Sequence, residues 1–207
     1  MDINEQGFFI FDLETSTLFN NKLPADHKEQ AWIVEFACIK ATKDLATTSK
    51  FTAIVQPPFV GAEISPEATA LHGIDLATSI AAGITQDELY SVLKPVFNGE
   101  FRLIGHNLGF DFKFLHRFPK TQDERINLAK AHYTGICTMK SSTNFCKLPP
   151  TASMLAKGMH EYKTPKLGEL YKVLFNEDIK DAHHALDDVE ATFKCLKELV
   201  KLEVINL

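Results

Sequence analysis

The sequence FFIFDLET at residues 8–15 decides the fold, because it places a run of large apolar residues directly before two acids. Such a run has the length of a β-strand that is buried on both faces of a sheet. Side chains alternate along a strand, so Asp12 and Glu14 share one face with Phe8 and Ile10. Two neighbouring carboxylates repel each other, and a divalent cation, which prefers oxygen ligands, relieves that repulsion. The stretch therefore indicates a metal site, with the alternative that Asp12 opens a turn and Glu14 is solvated.

A third acid follows a short apolar run in the segment LIGHNLGFDFKFL, residues 103–115. Its two glycines indicate a tight connection between a strand and a helix. The four-residue spacing of Phe110 and Phe114 is typical of a helix, and it places Asp111 in the first helical turn. An acid in a first turn also stabilises a helix through the helix dipole, so Asp111 by itself does not predict a site.

The segment DAHHALDDVEAT, residues 181–192, begins the last predicted helix. Apolar residues recur along it at three- and four-residue steps, which predicts a stripe that faces the core. At about 100° per residue, Asp188 lies at the edge of this stripe and can reach a half-buried site. Asp187 lies nearly opposite the stripe, in solvent. His183 and His184 precede the helix, and geometry alone does not separate their roles.

Together, the three segments resemble the three motifs of the DEDDh group, the DnaQ-like 3′→5′ exonucleases. The resemblance rests on FDLET at residues 11–15, on HNLGFD at residues 106–111 and on a histidine-x-alanine-x-x-aspartate pattern that ends at Asp188. It selects His183 over His184, because only His183 has alanine two positions on and aspartate five positions on. The order and spacing of the motifs, which span nearly the whole chain, make the resemblance specific.

The resemblance implies an α/β fold, an RNase H-like mixed β-sheet flanked by helices on both faces, in a single exonuclease domain over residues 1–207. It implies that two divalent cations, Mg²⁺ or Mn²⁺, are held by Asp12, Glu14, Asp111 and Asp188. It assigns His183 as the general base. It also implies contacts to the terminal nucleotide from Thr15, Leu71, His72 and Asn107.

The activity that the resemblance implies is hydrolysis of single-stranded DNA or RNA from a free 3′-hydroxyl end, with release of nucleoside 5′-monophosphates. The setting would be DNA proofreading or repair, or RNA processing. A polymerase partner or a homodimer is compatible with the family. The alternative from another class is a catalytically silent nucleic-acid-binding module on the same fold. All four acids and the histidine are present, which favours the enzyme.

The chain departs from the family pattern after its first motif. The family often has Thr-Thr-Gly after the first glutamate, whereas this chain has Thr-Ser-Thr at residues 15–17. The missing glycine and the polar stretch at residues 19–30 predict a longer loop after the first strand. Such a loop would alter substrate access, so the resemblance determines the chemistry better than the substrate.

Composition limits the class of protein. The chain has 207 residues, of which 45% are hydrophobic, and this suits one globular domain with a sizeable core. A formal net charge of −5 argues against broad coating of duplex nucleic acid. The four cysteines form no metal-binding or disulfide pattern. No signal peptide or membrane segment is apparent, so we expect a cytoplasmic protein without a membrane partner.

Periodicity predicts the elements that surround the motifs. Strands are predicted at residues 7–11, 32–40, 50–56, 101–104 and 135–138, the first three of them as an antiparallel meander. Helices are predicted at residues 66–71, 86–97, 109–117, 123–132, 151–160, 167–175 and 185–202. Strands followed by alternating helices and strands indicate an α/β domain with a mixed sheet.

Overall fold

A computed structural model describes residues 7–24, 27–179 and 184–207 of the protein. Its strands are β1 (Gly7–Thr15), β2 (Ile33–Ala41), β3 (Thr47–Ile54), β4 (Phe101–Gly105) and β5 (Ile136–Cys137). They form one five-stranded sheet in the order β3-β2-β1-β4-β5. The sheet is mixed, because β1 to β3 pair antiparallel whereas β4 and β5 run parallel to β1. The predicted meander and mixed sheet are confirmed.

The helices of the described residues complete the α/β arrangement. Their bounds are α1 Pro66–His72, α2 Leu76–Ala82, α3 Gln86–Phe97, α4 Leu108–Leu115, α5 Gln122–Tyr133, α6 Thr138–Cys146, α7 Ala152–Ala156, α8 Leu167–Phe175 and α9 Ala185–Lys201. None of the helices in the described ranges has the length and hydropathy of a membrane span.

Strand β1 lies at the centre of the sheet and divides the core in two. Phe9 and Phe11 pack into a cluster with the buried faces of α3, α4 and α5. Phe8 and Ile10 pack on the opposite face, in a cluster with α8 and α9. Helices therefore cover both faces of the sheet, as expected. The alternation also places Asp12, two residues after Ile10, on the α9 face.

The parallel pairing of β1 with β4 determines where the acids of the first and second motifs lie. Ile10 pairs with Ile104, and β4 ends at Gly105, only one residue later. Strand β1 continues beyond this point through Asp12 and Glu14. The carboxyl ends of parallel strands meet at the same edge of a sheet, so α4 begins beside the acidic end of β1.

Two helices were not predicted, and one is shorter than predicted. The strand predicted to reach residue 138 ends at Cys137, and α6 follows at once, with Ser142 Oγ donating to the Thr138 carbonyl at 2.7 Å. The Ser/Thr-rich sequence of α6 has a low helix propensity, so the sequence did not predict this helix. Helix α2 is only seven residues long. The helix predicted for residues 151–160 ends at Ala156, because Gly158 adopts a φ of 72° that a right-handed helix does not allow.

Gly83, at the end of α2, provides a test of the packing between this helix and the segment that follows β3. A Cβ atom there would lie 2.5 Å from the Ser79 carbonyl oxygen and 2.7 Å from the Gln56 amide nitrogen, both of them backbone atoms. We predict that Gly83→Ala lowers the free energy of unfolding by about 1–3 kcal/mol, the usual cost of overpacking. Urea denaturation measures this change.

Gly168→Ala is the matched control, because no atom lies within 4 Å of the position that a Cβ would take there and the residue is within α8. The control should leave stability unchanged or raise it slightly, since alanine favours a helix over glycine. Equal stability of the two variants would contradict the close packing around Gly83.

Candidate metal centre

Three carboxylates from two elements converge at the end of β1. One oxygen each from Asp12, Glu14 and Asp188 can be chosen so that all three lie within 4.8 Å of one another. All three side chains are half-buried. Oxygen ligands at this spacing suit a hard divalent cation, and each residue was predicted to be a ligand from the sequence. The structure therefore brings three of the four predicted metal ligands together.

Helix α9 supplies Asp188 because its apolar stripe packs against the sheet. Val189 and Leu196 are fully buried in the α9-side core, which fixes the rotation of the helix. Asp188 lies one residue before Val189, at the edge of this stripe. Asp187 was expected in solvent, but it is half-buried and lines an open cavity of about 610 Å³ between α9 and the β2–β3 side of the sheet. It is not a member of the three-carboxylate group, so the choice of Asp188 agrees with the structure.

Asp111 approaches the group from α4. It lies in the first turn of the helix, as predicted, and its side chain is only 4% exposed. Burial raises the pKa of Asp111 well above its ordinary value, and the charge of Glu14 adds to this shift. Asp111 in turn raises the pKa of Asp12. The fourth acid is thus close enough to interact with the group, although it lies outside the set that gathers within 4.8 Å.

The acids are electrostatically unfavourable in the absence of a cation. Burial raises the pKa of Asp12 well above its ordinary value, and Asp111, Asp188, Glu14 and Glu35 raise it further. Burial, Asp188 and Glu35 raise the pKa of Glu14 to about 8. Desolvated carboxylates of like charge cannot all ionise at neutral pH without compensation. A bound divalent cation supplies that compensation, so the residues present fit a metal.

Glu35 is a fifth acid at this site that sequence analysis missed. It lies on β2 directly opposite Glu14, and its Oε2 accepts a hydrogen bond from the Ala185 amide at 3.0 Å. It interrupts the otherwise apolar run IVEFACI at residues 33–39. A charged residue inside such a run was the signal that could have identified it, because a central strand rarely carries an acid without a reason.

His106 fixes the second motif to the rest of the domain. Its Nε2 lies 3.0 Å from the Pro165 carbonyl oxygen and its Nδ1 lies 3.0 Å from the Thr138 hydroxyl. A carbonyl only accepts, so Nε2 carries the proton and the Thr138 hydroxyl donates to Nδ1. Burial lowers the pKa of His106 to about 4, which keeps the ring neutral at neutral pH. His106 thereby holds the start of α4, and with it Asp111, in place.

The predicted substrate-binding residues differ in exposure. Leu71 is 54% exposed, whereas His72 is buried at 2%. His72 Nδ1 accepts from the Ile74 amide at 3.1 Å, so Nε2 carries the proton, and this buried atom makes no well-formed hydrogen bond to the described residues. Thr15 Oγ1 donates to the Thr17 carbonyl, and Asn107 is exposed with a φ of 72° at the start of α4. Their contacts to a nucleotide stay predictions.

The predicted general base, His183, lies outside the described residues. Its neighbour His184 is exposed and precedes the first residue of α9, and its side chain makes no capping hydrogen bond there. The choice between the two histidines therefore still rests on the sequence pattern.

The loop after β1 is held against α4 by side-chain contacts. Phe19 meets Phe114 edge-to-face at 5.3 Å, and Lys113 Nζ donates to Asn21 Oδ1 at 2.9 Å. Within the loop, the Gln30 side chain both accepts from the Asn20 amide and donates to its carbonyl. Residues 25 and 26 lie outside the described part. The loop therefore borders the helix that carries Asp111, and its effect on substrate access stays a prediction.

Comparison with known families agrees with this geometry. The model of the RNase T exonuclease family matches residues 9–196, which include all three motifs. The chain belongs to this exonuclease family. The chain is also 26% identical over 204 residues to a Mycobacterium tuberculosis protein named as a putative bifunctional exonuclease/endonuclease. That match covers 97% of the chain and 27% of the relative.

A second relative is ribonuclease T of Yersinia pseudotuberculosis, 28% identical over 151 residues, with 69% of this chain and 63% of the relative covered. The chain thus spans only part of the length of both relatives. Among solved structures, Escherichia coli exonuclease I in complex with a dA16 oligonucleotide superimposes with a TM-score of 0.69 at 16% identity. That match covers 95% of this chain and 41% of the other, and it confirms the RNase H-like exonuclease fold.

The raised pKa of Glu14 makes stability depend on pH in the metal-free protein. The folded state keeps a proton on Glu14 up to about pH 8, whereas the unfolded state releases it near 4.5. Stability should therefore fall as pH rises through this window. We predict that in EDTA the melting temperature of the wild type falls more than that of Glu14→Gln between about pH 6.5 and 8.5. This upper part of the window avoids the range in which the buried histidines, whose pKa values are lowered, gain protons.

Thermal melts with and without Mn²⁺ check this prediction. Saturating Mn²⁺ should stabilise the wild type most at the high end of the range, where the carboxylates repel most. Parallel melting curves for the two proteins in EDTA would show that Glu14 ionises normally and that the acids are not mutually destabilised.

Proposed function

We propose that the protein is a metal-dependent 3′→5′ exonuclease that removes nucleoside 5′-monophosphates from single-stranded DNA or RNA. The observation that carries the proposal is the convergence of Asp12, Glu14 and Asp188 within 4.8 Å, with Asp111 buried beside them. Membership of the exonuclease family supports a nuclease, and the acid cluster supports a dependence on divalent cations. The direction of cleavage and the use of two cations are parts of the proposal.

In this proposal, β1, α4 and α9 hold two divalent cations through Asp12, Glu14, Asp111 and Asp188. When bound, Mg²⁺ or Mn²⁺ would stabilise the negative charge that develops on the phosphate and on the leaving 3′-oxygen. The low dielectric around the half-buried acids strengthens their attraction for cations relative to water. The packing of α4 and α9 against the sheet keeps their acids beside those of β1, so that little reorganisation is needed when substrate arrives.

His183 completes the proposed site as the general base that takes a proton from the attacking water. A neutral imidazole is required for this role, and the ordinary pKa of histidine, about 6.5, suits it near neutral pH. His183 lies two residues before α9, the helix that carries Asp188. The assignment rests on the motif spacing.

A terminal nucleotide would enter beside Leu71, whose side chain is exposed next to the buried His72. A base can reach such a pocket only after it is unpaired from a partner strand, which favours single-stranded ends. Exonuclease I of Escherichia coli was solved with a dA16 oligonucleotide on the same fold, in agreement with this choice of substrate. A polymerase partner and a homodimer stay predictions of the family resemblance.

Labelled oligonucleotides test the direction of cleavage and the requirement for a free 3′ end. We predict that a 5′-labelled single-stranded oligonucleotide gives a descending ladder in Mg²⁺, and that excess EDTA stops the reaction. A circular single strand of the same composition should stay intact, because it offers no 3′ terminus. Efficient cutting of the circle would contradict the terminal pocket, and no cleavage of either DNA or RNA under any divalent cation would favour the catalytically silent module.

Two adjacent aspartates provide a matched pair for the metal assignment. We predict that Asp188→Asn lowers the cleavage rate by about 10²-fold or more, because it removes a ligand from the cation site. Asp187→Asn should retain nearly the full rate, since Asp187 is not a member of the carboxylate group. Single-turnover cleavage in Mg²⁺ measures both variants. A greater loss for Asp187→Asn would show that the helix presents the other acid.

A second matched pair tests the general base. His183→Ala should lower turnover by about 10²–10⁴-fold, the usual contribution of general-base catalysis, while cation binding changes little. His184→Ala should have a mild effect. Single-turnover rates and Mn²⁺ titrations of both variants separate the two roles. An inactive His184→Ala variant beside a nearly normal His183→Ala variant would place the motif one residue further along.

A further inference from the structure

Glu35 makes a hydrogen bond that links two elements distant in the sequence. Its Oε2 accepts from the backbone amide of Ala185 at 3.0 Å, across a separation of 150 residues. Ala185 is the first residue of α9, and its amide has no partner within the helix because the first four amides of a helix lack one. The residue before it, His184, provides no side-chain cap. A residue of β2 therefore satisfies one of the unpaired amides at the start of α9.

The position of Ala185 relates this bond to the metal centre. Asp188 follows Ala185 by three residues, so the two lie on the same side of the helix. The first backbone hydrogen bond of α9, from the Asp188 amide to the His184 carbonyl at 3.1 Å, encloses the same turn. A contact that fixes Ala185 relative to the sheet thus fixes the whole first turn, including the carboxylate-bearing residue.

The position of Glu35 in the sheet is also well defined. Glu35 pairs with Glu14 across the β1–β2 ladder, and directly opposed residues project from the same face. Ala37 and Ile39, further along the same face of β2, are buried in the α9-side core. Glu35 therefore joins the first turn of α9 to the strand pair that presents Asp12 and Glu14.

The location is electrostatically unfavourable for an acid, which argues against a purely incidental contact. Glu35 adds negative charge next to Asp12 and Glu14 and makes their ionisation harder. An acid in this place requires a compensating interaction. The amide of Ala185 and the positive end of the α9 dipole provide one.

We propose that Glu35 is a positioning residue of the metal centre, which holds the first turn of α9 against β2 so that Asp188 stays beside Asp12 and Glu14. Glu35 acts as a hydrogen-bond acceptor rather than as a cation ligand. The role rests on the proposed function, since it concerns the same site. Residues around a metal centre that orient its ligands typically change cation affinity or activity by about 10–100-fold when removed.

The test compares Glu35→Ala with Glu35→Gln. Glutamine keeps an acceptor oxygen at the same reach but removes the charge, whereas alanine removes both. Thr85→Ala is the control, because it removes the N-cap of α3, another helix cap in the described part of the chain, on the opposite face of the sheet. Mn²⁺ affinity by isothermal titration and single-turnover cleavage rate are measured for each, with the melting temperature as a check on folding.

We expect Glu35→Ala to weaken Mn²⁺ binding by about tenfold or more and to slow cleavage by about 10–100-fold. Glu35→Gln should stay within about threefold of the wild type in both, because the acceptor remains, and Thr85→Ala should lose only thermal stability. Equal losses for the alanine and glutamine variants would overturn the proposal by showing that the charge of Glu35 is what matters. Normal values for Glu35→Ala would overturn it by showing that α9 is held without this bond.

The Mn²⁺ measurement keeps this proposal separate from the proposed function. If the wild type binds Mn²⁺ but cleaves no nucleic acid, the nuclease assignment fails, and the relative cation affinities of the two Glu35 variants still decide the positioning role. If Glu35→Ala unfolds, the same Mn²⁺ affinities and cleavage rates are measured for a double variant that combines Glu35→Ala with Gly168→Ala. The second change adds helix propensity at an unrelated site. The double variant is then compared with Glu35→Gln.

Discussion

The mutual repulsion of the carboxylates that gather at the end of β1 is the interaction on which the rest of this structure depends. Burial and neighbouring acids raise the pKa of Asp12 well above its ordinary value and that of Glu14 to about 8. A fold optimised only for stability would not gather these groups where water is scarce. A bound divalent cation would offset this repulsion. The main role of the surrounding strands and helices is then to hold the acids close together.

Several strands and helices each help to hold the acids together. The apolar residues of β1 lie in the two cores and fix the alternation that sends Asp12 and Glu14 toward α9. Parallel pairing with β4 brings the start of α4, and thus Asp111, to the same edge of the sheet. His106 holds the turn before α4 through Thr138 and Pro165, and Glu35 holds the first turn of α9. The metal centre is therefore assembled from long-range contacts made by otherwise ordinary elements.

Much of this arrangement could be predicted from the sequence, because the motifs combine strong local patterns. The apolar run before Asp12 identifies a central strand, and the stripe of α9 assigns Asp188 by angle alone. What escaped prediction depends on tertiary contacts. Glu35 stands out as an acid within an apolar strand, but its role is defined only by its partner, Ala185. The burial of His72 likewise depends on the packing around the α1 turn. Helix α6 has a low intrinsic propensity, and it forms where tertiary contacts with α8 and α9 bury Thr138 and Ser142.

The most direct test of the account is a crystal structure of the protein with Mn²⁺, read from the anomalous scattering of the metal. The account predicts two peaks about 3.5–4 Å apart, with Asp12, Glu14, Asp111 and Asp188 as the protein ligands. A map without a peak at Asp12, or with manganese bound only at acids elsewhere on the surface, would contradict it.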